Sequence, residues 1–216
     1  MTERYFATAR LEVLPYLPRR VERLLDIGCG AGATVAAIKA KTNSVVWAGG
    51  VEIVEDQAKR AADGICDRVW SIDIERDMFE AGIPAATLDL VLCLDVLEHL
   101  VDPWRVVERL TNLLRPGGRL IVSVPNIRNW KFVKNLLLKG DFNYRDSGLL
   151  DRTHLRFFVR ATAEALASTG GLTMIENVAL PVLKTGETRW LLNKMLFGGL
   201  EDILAKQWLI VAECKV

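Results

Sequence analysis

Glycines and a carboxylate stand together near the start of the chain, in the stretch LLDIGCGAGAT. Asp26 precedes a loop of candidate ligand contacts: Gly28, Cys29, Gly30 and Gly32. Glycines between a strand and a helix let the backbone approach a ligand closely, and the free N–H groups at a helix start favour electron-rich atoms. The loop also satisfies the loose dinucleotide pattern G-x-G-x-x-G/A, which keeps a nicotinamide-dependent oxidoreductase open.

Asp26 weighs against a dinucleotide as the ligand. A carboxylate two residues before the first glycine would lie near the pyrophosphate of a dinucleotide and repel it, whereas it would attract a ligand that carries an ammonium group. The alternative is that Asp26 ends the strand and caps a local turn. Together, the glycine loop and Asp26 favour a ligand with a cationic group.

Two further acids follow the next two apolar runs. Glu52 lies about 20 residues beyond the glycines, where an acid can accept hydrogen bonds from both ribose hydroxyls of an adenosine. Asp73 in SIDIE can accept from the adenine amino group, with Ile53 and Ile74 beside the ring, or it can be a solvated loop aspartate. The spacing predicts an adenosine site. Two more predicted contacts end the fourth apolar run: Cys93 and Leu94.

Seven apolar runs alternate with helical patterns and predict the sheet that positions these residues. The runs are VERLLDIG, SVVWAGGVEI, DRVWSIDI, LDLVLCLD, GRLIVSVPN, LTMIENVAL and QWLIVAECKV. The first five suit strands that are buried on both faces of a parallel sheet. Helices are predicted over 34–41, 54–62 and 103–114, the last with Asp102 as N-cap and Pro103 at its first position. This alternation predicts a doubly wound α/β fold with a ligand crevice at the carboxyl ends of the strands.

The order of these motifs resembles the class I S-adenosylmethionine-dependent methyltransferases, particularly the group related to ubiquinone-biosynthesis O-methyltransferases. The resemblance covers about residues 20–126 and is most specific in DVLEHLVDP followed by LLRPGG. It implies a Rossmann-like seven-stranded sheet of order 3-2-1-4-5-7-6 with the seventh strand antiparallel. It also implies that the glycine loop holds the methionine part of S-adenosylmethionine, that Asp26 orients its amino group and that Glu52 holds the ribose.

The chain has two histidines, His99 in LDVLEHL and His154 in LLDRTHLRFF, and both are catalytic candidates. Methyl transfer to a hydroxyl requires that a proton leave the acceptor, and histidine suits that task near neutral pH. In some related O-methyltransferases a D/E-x-x-E-H run holds a divalent metal; Asp95, Glu98 and His99 match that run, with His154 as a further ligand. A metal such as Mn, Zn or Mg is the less favoured alternative, and structural packing of both histidines is another.

The composition indicates a single domain, residues 1–216, in the cytoplasm. Four widely spaced cysteines without a CxxC pair argue against a zinc site or a disulfide framework, and no apolar run reaches the ~18 residues of a membrane span. The formal net charge of +1 predicts no nucleic-acid partner. Three segments fit the core pattern poorly and are predicted to cap the site or to hold the acceptor: 1–18, 126–160 and 182–206.

The segment 126–160 carries eight Lys or Arg residues against three Asp, so it would attract an anionic acceptor unless its charges only cover a solvated helix face. Its end, DRTHLRFF, resembles methyltransferases associated with glycan or cell-envelope biosynthesis. The insert TRWLLNKMLFGGLEDILAKQ, residues 188–207, is expected to pack its apolar stripe against the protein interior. The alternatives are that it covers an apolar acceptor, meets a second copy of the chain as a homodimer or touches a membrane surface. We expect methyl transfer to a hydroxyl of a small-molecule or glycan-related acceptor. A nicotinamide-dependent oxidoreductase and a catalytically silent S-adenosylmethionine-binding protein stay open.

Overall fold

The computed structural model describes residues 8–77, 82–181, 195 and 200–215. It contains seven strands: β1 (Arg23–Ile27), β2 (Trp47–Val51), β3 (Arg68–Trp70), β4 (Leu88–Leu94), β5 (Leu114–Pro125), β6 (Thr173–Leu180) and β7 (Gln207–Glu213). They form one sheet of order β3-β2-β1-β4-β5-β7-β6, in which β7 is antiparallel to both of its neighbours. The α/β class, the strand order and the antiparallel seventh strand are as the sequence predicted.

Helices connect most of the strands: α1 (Ala33–Thr42), α2 (Glu55–Ala62), α3 (Pro103–Thr111), α4 (Trp130–Lys139), α5 (Arg160–Ala167) and α6 (Glu201–Leu204). The predicted N-cap of α3 is confirmed, because the Asp102 side chain accepts from the backbone N of Arg105 at 3.1 Å. The helix ends earlier than predicted, since Leu114 already belongs to β5 and pairs with Leu88. None of the helices in the described part of the chain has the length and apolar character that a membrane crossing needs.

The sheet separates two apolar clusters. Residues of α3 and α5 pack in one of them, and residues of α1 and α2 pack in the other. All seven residues of β4 are buried, and its side chains alternate between the clusters: Leu92 belongs to one and Cys93 to the other. This alternation explains why every residue of β4 except Asp89 is apolar, as expected for a central strand that is covered on both faces. The buried Asp89 side chain accepts from the backbone N of Glu22 and of Arg23.

The carboxyl ends of β1, β2 and β4 meet at one edge of the sheet. Ile27, the last residue of β1, pairs with Val51 on one side and with Cys93 on the other. From β1 the chain adds β2 and β3 on one side and then β4 and β5 on the other. The strand order therefore reverses between β1 and β4. Ligands of open α/β sheets bind at such a point, which is where the sequence predicted the crevice.

The three predicted cap segments are described only in part. Residues Leu11–Tyr16 of the first segment form a 3-10 helix, and the second segment contains α4 followed by turns. Most of the third segment, residues 182–194 and 196–199, lies outside the described residues, as do residues 1–7. The single-domain organisation, the capping roles and a homodimer therefore stay predictions.

Candidate active site

The loop between β1 and α1 is shaped by its glycines. Gly28 has a φ angle of +71°, and a Cβ atom at this position would lie 2.5 Å from Cγ2 of Val96. Gly32 has a φ angle of +82° and precedes α1, where its carbonyl accepts from the backbone N of Ala36 at 2.9 Å. A side chain would collide at Gly28 and would strain the backbone at both positions. These glycines therefore allow the chain to turn tightly from the sheet into the helix.

Glu52 ties this loop to the end of β2. Its Oε2 accepts from the backbone N of Gly30 at 2.9 Å, and its Oε1 accepts from the backbone N of Val54 at 2.8 Å. The side chain is buried. Because a carboxylate has about four lone-pair sites, Glu52 can accept further hydrogen bonds while it keeps both backbone donors. The residue thus both fixes the loop and offers acceptor capacity to a ligand.

Asp26 lies in β1 and is 3% exposed. Burial raises its pKa to about 7; nearby Glu52 acts in the same direction and Arg10 in the opposite one. An acid with this pKa is only partly ionised at neutral pH, and a cationic group beside it would favour the carboxylate. The electrostatics of Asp26 thus suit an ammonium-bearing ligand.

These residues line a cavity of about 640 Å³ at the carboxyl ends of the strands, which we call the strand-end cavity. Small-molecule sites commonly measure about 300–1,000 Å³. Most of the predicted cofactor contacts line it: Asp26, Gly28, Cys29, Gly30, Glu52, Ile53, Asp73, Ile74 and Leu94. Two do not: a Cβ atom at Gly32 would lie 2.7 Å from Cγ2 of Ile65, which is not in the cavity wall, and the side chain of Cys93 is fully buried in the apolar core.

Asp73 follows β3 and belongs to a turn. Its Oδ1 accepts from the backbone N of Glu75 at 3.0 Å, and its Oδ2 lies 3.3 Å from Nε of Arg76. Ile53 is 68% exposed and offers apolar surface that a planar ring could cover, whereas Ile74 is buried. The turn contacts match the alternative role considered for Asp73, and its place in the cavity wall is compatible with adenine binding.

Arg10 is a cavity residue that the sequence analysis missed. Its guanidinium pairs with Glu12 and Asp95 and lies 3.3 Å from Oγ of Ser123. Asp95 also accepts from Oγ of Ser123 at 2.9 Å and from Nε2 of Gln207 at 2.8 Å. Arg10 and Asp95 are 85 residues apart in sequence, so no local spacing pattern could have paired them. Their contact joins the N-terminal segment to the end of β4.

A second cavity, of about 1250 Å³, adjoins the first, and we call it the outer cavity. Asp95 and His99 line both cavities. Other residues of the outer wall come from distant parts of the chain and include Glu12, Glu98, Lys131, Ser147, His154, Leu180 and Lys206. Ligands that occupied the two cavities together would therefore approach each other beside Asp95 and His99.

His99 ends a 3-10 turn after β4, and its hydrogen bonds define its tautomer. Its Nδ1 lies 2.9 Å from Oγ1 and 3.2 Å from the carbonyl O of Thr153. The Thr153 hydroxyl donates its only proton to Oδ1 of Asp151, at 2.7 Å, so both Thr153 oxygens accept from His99. The neutral imidazole therefore carries its proton on Nδ1 and keeps a lone pair on Nε2. Burial, assisted by His154, lowers the pKa of His99 and favours this neutral form.

His154 and Glu98 complete a cluster with His99. The imidazole centroids are 4.7 Å apart, and Nδ1 of His154 lies 3.0 Å from the carbonyl O of Leu149, which places a proton on that nitrogen too. Ligand atoms of the three residues lie within 4.8 Å of one another. Glu98 is 1% exposed, and neither of its carboxylate oxygens has a hydrogen-bond partner among the described residues.

The charge state of Glu98 decides what this cluster can do. Burial, assisted by Asp95, raises the pKa of Glu98 well above its ordinary value. A protonated Glu98 can donate to an imidazole Nε2, which would satisfy the cluster without a metal. A divalent cation bound by Glu98, His99 and His154 is the alternative, and the suggested fourth ligand, Asp95, is already engaged by Arg10.

A family model described as a methyltransferase domain matches residues 1–177. The chain belongs to this family. The 27-O-demethylrifamycin SV methyltransferase of Amycolatopsis mediterranei (strain S699) is 39% identical over 127 residues, which cover 54% of this chain and 44% of that protein. The ubiquinone biosynthesis O-methyltransferase of Xylella fastidiosa (strain M23) is 31% identical over 148 residues, which cover 62% of this chain and 59% of that protein. The methyltransferase domain thus spans about half the length of these curated relatives.

Solved structures show the same architecture. A SAM-dependent methyltransferase from Archaeoglobus fulgidus has a TM-score of 0.65 and 18% identity to this methyltransferase domain, and the match covers 98% of this chain and 94% of that one. The family match confirms the resemblance that the sequence motifs indicated. It also removes the main ground for the oxidoreductase alternative, since the loose glycine pattern is shared by both classes of protein.

Proposed function

We propose that this methyltransferase domain transfers the methyl group of S-adenosylmethionine to a hydroxyl oxygen of a small-molecule or glycan-related acceptor, with His99 as general base. The observation that carries the proposal is the meeting of two cavities at Asp95 and His99. The strand-end cavity, of about 640 Å³, has a size suited to the cofactor, and the outer cavity leaves room for the acceptor. Methyl transfer requires the two reactants to be held in contact, which a shared wall permits.

The residues of the strand-end cavity fit S-adenosylmethionine by their chemistry. Asp26, whose pKa is raised by burial, suits the ammonium group of the methionine part. Glu52 retains acceptor capacity for the ribose hydroxyls, and Ile53 offers apolar surface to the adenine ring. When bound, the cofactor supplies a methyl group that is already activated on a sulfonium. The domain itself has to orient the acceptor oxygen, exclude water and receive a proton.

His99 provides the atom that receives this proton. Thr153 holds the ring with Nδ1 protonated, so the lone pair of Nε2 is the basic site. Because burial lowers the pKa of His99, the ring is neutral near pH 7 and ready to act as a base. His154, the other predicted catalytic residue, lies against this ring, and a ring nitrogen of His154 lies within 4.8 Å of a carboxylate oxygen of Glu98.

The outer cavity suits a large acceptor that presents a hydroxyl to His99. The outer cavity, of about 1250 Å³, exceeds the usual size of small-molecule sites, about 300–1,000 Å³. Lys131 and Lys206 in its wall suit an anionic group on the acceptor. Five acids share the wall: Glu12, Asp95, Glu98, Asp146 and Asp151. Arg10 pairs with the first two and Arg152 with Asp146. One relative is named as an O-methyltransferase and another as a 27-O-demethylrifamycin SV methyltransferase, which supports oxygen as the methylated atom.

Calorimetric titration of the full chain tests the cofactor part of the proposal. We expect S-adenosylmethionine and S-adenosylhomocysteine to bind and NAD not to bind. Replacing Glu52 by Ala should weaken binding at least ~10-fold, because hydrogen bonds to a charged group are lost. Glu55→Ala is the matched control, since Glu55 is an exposed acid at the start of α2 that pairs with Lys59. Binding of NAD alone would overturn the proposal.

An acceptor panel tests the chemistry. Pairs of phenols and sugars that differ by one acidic group would be incubated with S-adenosylmethionine, and the products would be identified by mass spectrometry. We expect O-methylated products in the presence of EDTA. Turnover that EDTA abolishes and Zn²⁺ or Mn²⁺ restores would instead assign Glu98, His99 and His154 to a metal. Cofactor binding without turnover of any acceptor would favour the catalytically silent alternative.

A further inference from the structure

Cys29 and Cys66 lie beside each other beneath the glycine loop. Each is a free cysteine that is only 6% exposed. A Cβ atom at Gly50 would lie 2.6 Å from Sγ of Cys29 and 3.6 Å from Sγ of Cys66, so the two sulfurs border the same small space. Gly50, in β2, has no side chain to separate them. The fold thus brings together two thiols from the β1–α1 loop and from the turn before β3.

The interaction between the thiols changes their acidity. The hydrogen bond between the two thiols lowers the pKa of Cys66; nearby Lys39 acts in the same direction and burial in the opposite one. The same hydrogen bond raises the pKa of Cys29, as does burial, so Cys66 is the more acidic thiol of the pair. The thiolate is the reactive form of cysteine in disulfide chemistry. Cys93 differs, because burial raises its pKa well above the ordinary value.

The pair can be reached through the strand-end cavity. Cys29 lines that cavity, next to Gly28 and Gly30, whereas Cys66 lies behind it and is not part of the cavity wall. A small oxidant that enters the cavity meets Cys29 first. A ligand that fills the cavity covers this approach.

We propose that Cys29 and Cys66 are an oxidation site at which hydrogen peroxide closes a disulfide, and that this disulfide and a bound cofactor exclude each other. In this step each sulfur loses its hydrogen and the S–S bond forms. The O–O bond of one peroxide molecule breaks and its oxygens leave as two water molecules. The two sulfurs are oxidised and the peroxide is reduced.

The exclusion follows from what surrounds Cys29. Its backbone N donates to the carbonyl O of Val51 at 3.1 Å, and the next residue, Gly30, donates to Glu52 at 2.9 Å. Drawing the Cys29 side chain toward Cys66 would pull on the backbone that makes these two hydrogen bonds, and a shift of this backbone would break the contact with Glu52. We expect the disulfide to weaken binding of S-adenosylmethionine at least ~10-fold, and a dithiol reductant to restore it.

Peptide mapping without reduction tests whether the bond forms. Trypsin releases Cys29 in the peptide 24–39 and Cys66 in the peptide 61–68, so a disulfide links two peptides of known mass. After treatment of the full chain with peroxide we expect this linked pair, and less of it when S-adenosylhomocysteine is present at saturation. Absence of the linked pair would overturn the proposal. The mass does not depend on which ligand the cavity binds, so this result is separate from the fate of the proposed function.

Calorimetry on cysteine variants tests the consequence. Cys66→Ser should bind S-adenosylmethionine as the parent does and should keep its affinity after peroxide. Cys66→Ala serves the same purpose if serine is not tolerated among apolar neighbours. Cys214→Ser is the matched control and should lose affinity on oxidation as the parent does, because Cys214 is distant from the pair in the sequence and only half-buried. An equal loss in the Cys66 variants would overturn the proposal, since it would place the damage on Cys29 alone.

Discussion

The strand-end cavity and the outer cavity are assembled in different ways. The walls of the strand-end cavity come mostly from the ends of β1 to β4 and the residues that follow them, whereas the outer wall extends from Glu12 to Gln207 and includes several connecting segments. The residues that line the strand-end cavity thus lie in short sequence motifs, most of them at the end of a strand or directly after it. The second exists only after distant segments have come together. We expect the first to tolerate little change and the second to determine which acceptor is used.

Substitution of Gly28 by Val should have the largest effect. A Cβ at Gly28 would lie 2.5 Å from Val96, at a φ angle of +71°. Overpacking and left-handed strain each cost about 1–3 kcal/mol, so the free energy of unfolding should fall by about 4 kcal/mol and cofactor binding should be lost. Gly64→Val is the matched control, because Gly64 has a φ angle of +77° but nothing within 4 Å of its Cβ position. If urea denaturation showed the same loss in the free energy of unfolding for Gly28→Val and Gly64→Val, the close packing of Gly28 against Val96 would not be the cause.

His99→Ala should lower kcat by about 10²–10⁴-fold and change cofactor affinity little, because the proposed loss is that of a general base. The pH profile gives a second readout. A base must be deprotonated to act, so kcat should rise with pH and level off; since the pKa of His99 is lowered from 6.5, the midpoint of this rise should lie below that value. A loss of cofactor affinity as large as the loss in kcat would mean that His99 holds the cofactor rather than receives the proton.

The strand-end cavity could be predicted because its residues are indicated by patterns in the adjacent sequence. Asp26 and Glu52 each lie in or directly after an apolar run, and the parallel sheet brings the ends of those runs to one edge. The helix start at Asp102 is local in the same sense. The predicted end of α3 was less accurate, because the helix ends at Thr111 and Leu114 already pairs with Leu88 as part of β5.

For the outer cavity, the sequence could predict only a set of candidate residues and not the contacts between them. The sequence singled out both histidines by their residue type, but the partner of His99 is Thr153, 54 residues away. Arg10 is still further from Asp95. Such contacts depend on how connecting segments fold over the sheet, and neither spacing nor periodicity encodes them. The tautomer of His99 follows from the hydrogen-bond network and could not be derived from the sequence.

Asp26→Asn tests whether the charge of Asp26 in the strand-end cavity contributes to cofactor binding. The folded domain raises the pKa of Asp26 from 3.8 to about 7, so it binds this proton more tightly than the unfolded chain does. The contribution of Asp26 to stability is therefore lost as pH rises from about 4 to about 7. Ionisation in turn should strengthen cofactor binding between about pH 6 and about pH 8. Calorimetry of the Asp26→Asn variant should show an affinity for S-adenosylmethionine that is at least ~10-fold weaker than that of the parent above pH 7 and that does not increase between about pH 6 and about pH 8.

The control for Asp26 is the ligand-free protein. Above about pH 7, Asp26→Asn should increase the free energy of unfolding, because the buried carboxylate has been removed. Urea denaturation at about pH 8 measures this. Reduced stability together with reduced affinity would mean that Asp26 maintains the strand-end cavity structurally.

Thr153→Val tests whether Thr153, which lines the strand-end cavity, sets the tautomer of the base. The variant removes the hydroxyl that links His99 to Asp151 and leaves the carbonyl at 3.2 Å as the remaining Thr153 contact. We expect kcat to fall about 10-fold with an unchanged acceptor KM, a size typical of groups that orient a histidine. Thr153→Ser keeps the hydroxyl and should restore the rate. If serine were as slow as valine, the methyl group rather than the hydrogen bond would be responsible.

Lys131→Ala should have the smallest effect and the most selective one. Lys131 is an exposed cation in the outer wall, and exposed ion pairs contribute up to about 1 kcal/mol, so KM for an acidic acceptor should rise a few-fold while kcat stays the same. The rise should shrink as salt is added, since salt screens exposed charges. Lys139→Ala is the matched control, because Lys139 lies on the same helix but not in the cavity wall. An equal rise in KM for a neutral acceptor would mean that the aliphatic part of Lys131 acts by packing. That result would contradict the proposal that Lys131 binds an anionic group on the acceptor.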